Sequence, residues 1–134
     1  MKLTIIIPCY NEEKTIKQLI NKILALHSIK KQIIVVDDCS TDNSFNIINS
    51  FKSKDLLILK NEKNLGKGGS INVAKEFIEG DIVAIQDADL EYDPNDLPKL
   101  MEPIINSETQ VVYGSRVLGK KYFENIQNFS HWFR

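Results

Sequence analysis

At 134 residues, with 43% hydrophobic side chains and 17 basic against 18 acidic residues, the chain has the size and composition of one globular domain. That balance excludes disorder, a collagen-like rod and a disulfide-stapled mini-protein, and a net charge of −1 offers no basic field for nucleic acid or anionic lipid. No apolar run exceeds six residues, so nothing here spans a bilayer, and Met1-Lys2-Leu3-Thr4 leads into a β-type run rather than a signal peptide. Cys9 and Cys39 lack metal-ligand spacing and read as free thiols of a reducing, cytoplasmic compartment.

Leu3-Thr4-Ile5-Ile6-Ile7 opens a series of five short, nearly continuous apolar runs. Such runs are how strands read when both faces are buried in a parallel sheet. A helix follows, with Ile16, Leu19, Ile20, Ile23 and Leu24 at three-and-four spacing, Asn11 as its N-cap and Glu12 and Glu13 in its first turn. The second strand, Ile33-Ile34-Val35-Val36, leads to a helix capped at Ser40 or Thr41 and carrying Phe45, Ile48 and Phe51. The third, Leu56-Leu57-Ile58-Leu59, precedes a stripe of Ile71, Ala74, Phe77 and Ile78. The fourth, Ile82-Val83-Ala84-Ile85, precedes a helix entered through Asp93-Pro94 and carrying Leu97, Leu100, Met101, Ile104 and Ile105. Val111-Val112-Tyr113 reads as a fifth strand. Strict alternation predicts an open α/β sheet, mainly parallel, with helices on both faces. Tyr122, Phe123, Phe129, Trp132 and Phe133 then crowd the last residues, either as a helix packed on the sheet or as a surface for lipid headgroups or further protein.

Ligands of open α/β sheets bind beyond the carboxyl ends of the strands, where strand order reverses. Polar residues collect at those ends. Asp87 and Asp89 form the only D-x-D of the chain; in extended backbone both side chains face one way, so they can share a divalent cation, with Glu91 continuing the parity. Three such carboxylates repel one another unless a cation neutralises them. Of Asp37 and Asp38, one can hold the turn while the other accepts hydrogen bonds from a nucleobase or ribose. Asn64-Leu65-Gly66-Lys67-Gly68-Gly69-Ser70 is not a P-loop, but a glycine-rich helix start with Lys67 can hold an anion. Arg116, one of two arginines, follows Gly114-Ser115 and can pair with phosphate. Cys9 has no histidine partner in the pattern, since His27 and His131 fall at a helix end and in the tail, so it reads as a packing residue.

Taken in order, Ile7-Pro8-Cys9-Tyr10-Asn11-Glu12-Glu13, Val36-Asp37-Asp38-Cys39-Ser40-Thr41-Asp42, Asn64-Leu65-Gly66-Lys67-Gly68, Asp87-Ala88-Asp89-Leu90-Glu91 and Gly114-Ser115-Arg116 resemble a family 2 glycosyltransferase of the GT-A fold. The likeness is to the dolichyl-phosphate mannose synthase and polyprenyl-phosphate glucose synthase group, with Cys39 in place of the commonest glycine of the second motif. The resemblance implies a Rossmann-like nucleotide-binding half and an inverting, metal-dependent transfer from a UDP- or GDP-sugar to a lipid-phosphate or glycan acceptor. It implies that Pro8, Tyr10, Glu12, Asp37, Asp38, Lys67, Asp87 and Arg116 bind the nucleotide sugar, and that Asp87, Asp89 and Glu91 hold Mg²⁺ or Mn²⁺. It places the general base, where one is used, beyond Arg134, so no residue of this chain is expected to fill that role. It further implies a nucleotide-sugar core over residues 1–118, an acceptor-side segment over 119–134, and a chain shorter than the roughly 200 residues of a complete domain. A lipid acceptor implies peripheral membrane association at the cytoplasmic face.

Rival readings are weaker. A response-regulator receiver explains Val35-Val36-Asp37-Asp38 and Asp87 but leaves the first strand and its Tyr10-Asn11-Glu12-Glu13 unused. A nicotinamide dehydrogenase needs glycines in the first βα turn, which has none. A non-catalytic sugar-nucleotide-binding fragment differs from the first reading only in turnover.

Overall fold

Four parallel strands form one sheet across the residues that the computed structural model describes, 1–115: β1 (Leu3–Cys9), β2 (Lys31–Asp37), β3 (Leu56–Lys60) and β4 (Ile82–Ile85). Their order is β3-β2-β1-β4, so the chain steps outward twice from β1 and then returns to its other side. The registers Cys9 to Asp37 and Asp37 to Lys60 bring the carboxyl ends of the first three strands level.

Helices cover both faces. α1 (Ile16–Leu24) buries Ile16, Leu19, Ile20 and Ile23 completely against Leu3, Ile5, Ile7, Ile33 and Val35. Each such side chain contributes about 1.5–3 kcal/mol, so this face dominates the core. α2 (Ser44–Asn49) and α4 (Leu97–Ile105) join it through Ile48, Leu97 and Met101. α3 (Gly66–Lys75) covers the opposite face, where Ala74 and Ile71 meet Ile6, Ile34 and Val36.

Three element boundaries differ from the sequence reading. α1 starts at Ile16, not after Asn11, because Asn11 takes a left-handed backbone (φ 53°) and its side chain is committed to the β2–α2 loop. α2 starts at Ser44, because Ser40 N–H is taken by Asp37 and those of Thr41 and Asp42 by Asn11. α3 ends at Lys75, which leaves Phe77 beyond the helix and exposed. Val111-Val112-Tyr113 joins no ladder among the described residues. The backbone N–H and carbonyl of Val111 bond the Thr109 hydroxyl instead, a local alternative to strand pairing. The start of α4 is as expected: Asp93 accepts from Asn95 N–H, and Pro94 opens a 3₁₀ turn that runs into the helix. The aromatic segment 119–134 lies outside the described residues.

Candidate functional site

Strand order reverses between β1 and β4, and the carboxyl ends of these two strands open a cleft of about 330 Å³. The end of β1 contributes Pro8, Cys9, Tyr10 and, in the following turn, Glu12. The end of β4 contributes Asp87, Ala88 and Asp89; β2 contributes Asp38, and α3 contributes Lys67 and Ser70. The cleft therefore holds four carboxylates and one lysine.

Its β1 wall is held by a reciprocal lattice between two loops. Asn11 N–H donates to Ser40 Oγ (3.0 Å), while Asn11 Oδ1 accepts from the N–H groups of Thr41 (2.8 Å) and Asp42 (3.3 Å). Glu12 N–H donates to Ser44 Oγ and Glu13 N–H to Asp42, and Glu13 Oε2 accepts from Asn43 N–H. These bonds use up the backbone donors on either side and leave the Tyr10 ring, 47% exposed, at the mouth of the cleft. An exposed ring there offers a stacking face. The Glu12 carboxylate accepts from Thr15 Oγ1 at 2.8 Å, which orients it.

Asp37 and Asp38 divide by pleat parity. Asp37 continues the face of Ile33 and Val35 and is fully buried; Oδ2 accepts from Ser40 N–H, and Oδ1 has no hydrogen-bond partner among the described residues. Unlike Asp38, it does not line the cleft. Its charge adds to burial in pushing the Cys9 thiol up to about 12, against the Ser44 hydrogen bond. Asp38 continues the α3 face. Its Oδ1 accepts from Asn61 Nδ2 and Leu65 N–H, and its Oδ2 from Gly66 N–H, all at 2.8 Å. Burial pushes its pKa up, but the bonds from Leu65, Asn61, Gly66 and Ser70 overcome that and hold the carboxyl below the usual range. Asp38 thus reaches the cleft while anchoring the glycine-rich turn.

Asn61 is absent from the sequence reading, where Ser70 figures only as the last residue of the glycine-rich helix start. Asn61, buried just past β3, also donates to Ser70 Oγ at 3.2 Å, and its place at a strand end was the available signal. Within the turn, Gly66 needs its left-handed φ of 76°, and a Cβ on Gly69 would lie 2.5 Å from that of Leu65. A Cβ on Gly68 meets nothing within 4 Å.

The acidic loop after β4 is a turn rather than extended chain, with Leu90 left-handed (φ 63°) and Asp89 Oδ1 accepting from Glu91 N–H at 3.0 Å. Gln86 Nε2 straps it by donating to the carbonyls of Asp87 and Tyr92. The strict face-sharing expected of an extended D-x-D therefore does not hold. Even so, Asp87 and Asp89 both line the cleft, whereas Glu91 does not, and no three-ligand metal cluster occurs among the described residues. Two carboxylates still fit Mg²⁺ or Mn²⁺, hard cations that keep waters and share substrate phosphates. Asp87 Oδ1 lies 2.5 Å from Lys67 Nζ. Arg116 and Arg134 lie outside the described residues, which end at Ser115, and so does the general base expected beyond Arg134.

The sequence model of Glycosyl transferase family 2 matches residues 4–133. A UDP-N-acetylglucosamine–dolichyl-phosphate N-acetylglucosaminyltransferase of Methanococcus voltae is 37% identical, over 91% of this chain and 55% of its own length. A dolichol-phosphate mannosyltransferase of Pyrococcus furiosus is 32% identical, over 93% of this chain and 36% of its own. The chain thus spans about half, or less, of these curated relatives. Among solved structures, Staphylococcus aureus TarS in complex with UDP-GlcNAc aligns with TM-score 0.63 and 32% identity, covering 76% of this chain and 31% of that one. A mannosyltransferase of Pyrobaculum calidifontis in complex with GDP-Man and Mn²⁺ aligns with TM-score 0.63 and 28% identity, covering 70% and 29%.

Proposed function

The chain belongs to glycosyl transferase family 2, with its GT-A, Rossmann-like α/β fold, and from that premise we propose the reaction its cleft serves. A sugar leaves a UDP- or GDP-linked donor for a lipid-phosphate or glycan acceptor, with inversion at the anomeric carbon and with Mg²⁺ or Mn²⁺. The nucleotides in the solved neighbours, the Mn²⁺ in one of them and the dolichyl-phosphate acceptors named for two relatives support this reading. The observation that carries it is the charge of the cleft at the strand-order reversal: four carboxylates against one lysine. Such a site repels a diphosphate unless a cation comes with it.

In this reading Tyr10 offers its ring to the base, and Pro8 and Glu12 shape the wall beside it. Asp38 holds the Asn64–Gly66 turn and presents its remaining acceptor capacity to the nucleoside. Asp87 and Asp89 hold the divalent ion, which when bound supplies Lewis-acid stabilisation of the leaving nucleoside diphosphate. Lys67 places an ammonium beside the same phosphates, and Arg116 meets a phosphate of donor or acceptor. A lipid phosphate is already ionised at neutral pH and attacks without a general base. The free thiols and the dolichyl-phosphate acceptors named for the two relatives favour the cytoplasmic face of a membrane.

Calorimetric titration with UDP and with GDP, each with and without Mn²⁺, tests the donor side. The expected result is binding of one nucleotide that strengthens with Mn²⁺, and loss of that strengthening in Asp89→Asn. Failure of a folded protein to bind in any of the four titrations overturns the reading.

A further inference from the structure

Lys67 sits where helix electrostatics disfavour a cation. It is the second residue of α3, whose first turn carries no acidic side chain, and the amino end of a helix bears partial positive charge. What offsets this is a contact across the cleft: Nζ lies 2.5 Å from Oδ1 of Asp87, a carboxylate assigned above to the divalent ion. Both side chains are accessible, Lys67 at 57% and Asp87 at 35%, and an ion pair so exposed is weak enough to exchange. Asp89, the other carboxylate of the pair, has one oxygen turned to Glu91 N–H.

We propose that Lys67 is a resident counter-cation of the D-x-D. It neutralises Asp87 while the cleft is without donor, and gives that carboxylate up when a nucleoside diphosphate offers its ammonium stronger acceptors. Metal and nucleotide then bind as a coupled pair. The ion alone displaces Lys67 into water and forfeits its charge pair, whereas the ion arriving with the diphosphate exchanges one set of charge pairs for another. By linkage, each ligand raises the other's affinity by the same factor. The proposal rests on the nucleotide-and-metal reading of the cleft and adds the residue that couples its two ligands.

The test is Mn²⁺ binding, followed by the electron paramagnetic resonance of free Mn²⁺, with and without UDP or GDP, in the wild type, Lys67→Met and Lys67→Arg. Lys67→Met should bind Mn²⁺ alone more tightly, by up to about fivefold, the range of an exposed ion pair. Its affinity for nucleotide should fall, and the factor by which nucleotide strengthens Mn²⁺ binding should shrink. Lys67→Arg keeps a cation at the position and should keep weak Mn²⁺ binding. Unchanged or weaker Mn²⁺ binding by a folded Lys67→Met, with wild-type coupling to nucleotide, overturns the counter-cation role and leaves the site reading standing. A wild type that binds neither Mn²⁺ nor nucleotide overturns both.

Discussion

Replacing Asp38 by asparagine separates an anchor from a ligand. Asp38 accepts three hydrogen bonds at 2.8 Å, two of them from the backbone N–H groups of Leu65 and Gly66. Hydrogen bonds to a charged acceptor contribute about 1.5–3 kcal/mol each, and a buried donor left unpaired costs about 1–3 kcal/mol. Asparagine can keep Oδ1 on Asn61 and Leu65, while its amide N–H₂ turns a donor toward the Gly66 N–H, which retains only its 3.1 Å bond to Asn64 Oδ1. The expected loss is about 1–2 kcal/mol for Asp38→Asn and about 3–5 kcal/mol for Asp38→Ala, the latter a large share of the roughly 5–15 kcal/mol of a typical domain. Urea denaturation reads the global term, and amide exchange at Leu65 and Gly66 reads the turn. The pH dependence has a definite sign. Because the folded-state pKa lies below the ordinary value, the stabilisation is present above about pH 4 and fades as pH falls through the lower folded value. The wild type should therefore lose its margin over Asp38→Asn in acid. Wild-type stability and wild-type protection at Leu65 and Gly66 in Asp38→Asn, together with weakened nucleotide binding, would refute the anchor.

Cys9 is buried with its thiol pushed up to about 12 by burial and by the Asp37 charge, whereas Cys39 is partly exposed. Iodoacetamide on the native protein at pH 8 should therefore modify Cys39 and spare Cys9; rapid labelling of Cys9 shows that its burial is wrong. Asn11→Gly keeps the left-handed backbone but removes the Oδ1 that holds Thr41 and Asp42, for a loss of about 1–2 kcal/mol. Asn11→Val adds backbone strain of about 1–3 kcal/mol, so thermal unfolding should rank asparagine above glycine above valine. Two glycines should respond oppositely. A Cβ on Gly80 falls 2.6 Å from Thr4 N and 2.7 Å from Lys2 O, so Gly80→Ala should destabilise by about 1–3 kcal/mol. A Cβ on Gly68 meets nothing, so Gly68→Ala should gain up to about 1 kcal/mol of helix propensity. Equal effects from the two substitutions count against the placement of Gly80 under β1.

Much of the architecture was legible because the relevant signals are local. Ile33-Ile34-Val35-Val36 reads as a strand buried on both faces, and in the fold every one of these residues is buried. Asp93-Pro94 announces a helix start whether or not its surroundings are known, since the cap and the proline act on adjacent backbone. The boundaries that misled are those where a distant partner took a donor. Asn11 has the composition of a helix cap, yet the loop after β2 claimed its side chain, so α1 begins later. Val111-Val112-Tyr113 has strand composition, yet Thr109 satisfies the backbone of Val111 and no ladder forms among the described residues.

The site divides the same way. That carboxylates gather at the strand ends, with a lysine on a glycine-rich turn nearby, follows from the residues in order, and the family follows from five motifs in sequence. Which carboxylate does what is a tertiary fact. Asp37 and Asp38 are the same residue type side by side, and only the pleat, read against the helices that cover each face, turns one toward Cys9 and the core and the other toward Leu65 and Gly66. In the same way Lys67 and Asp87 stand twenty residues apart, with no pattern linking them. Their ion pair exists because β4 crosses back beside β1 and lays its end opposite the start of α3. Local chemistry determines which residues can act, and the return of the chain across its own sheet decides which of them meet.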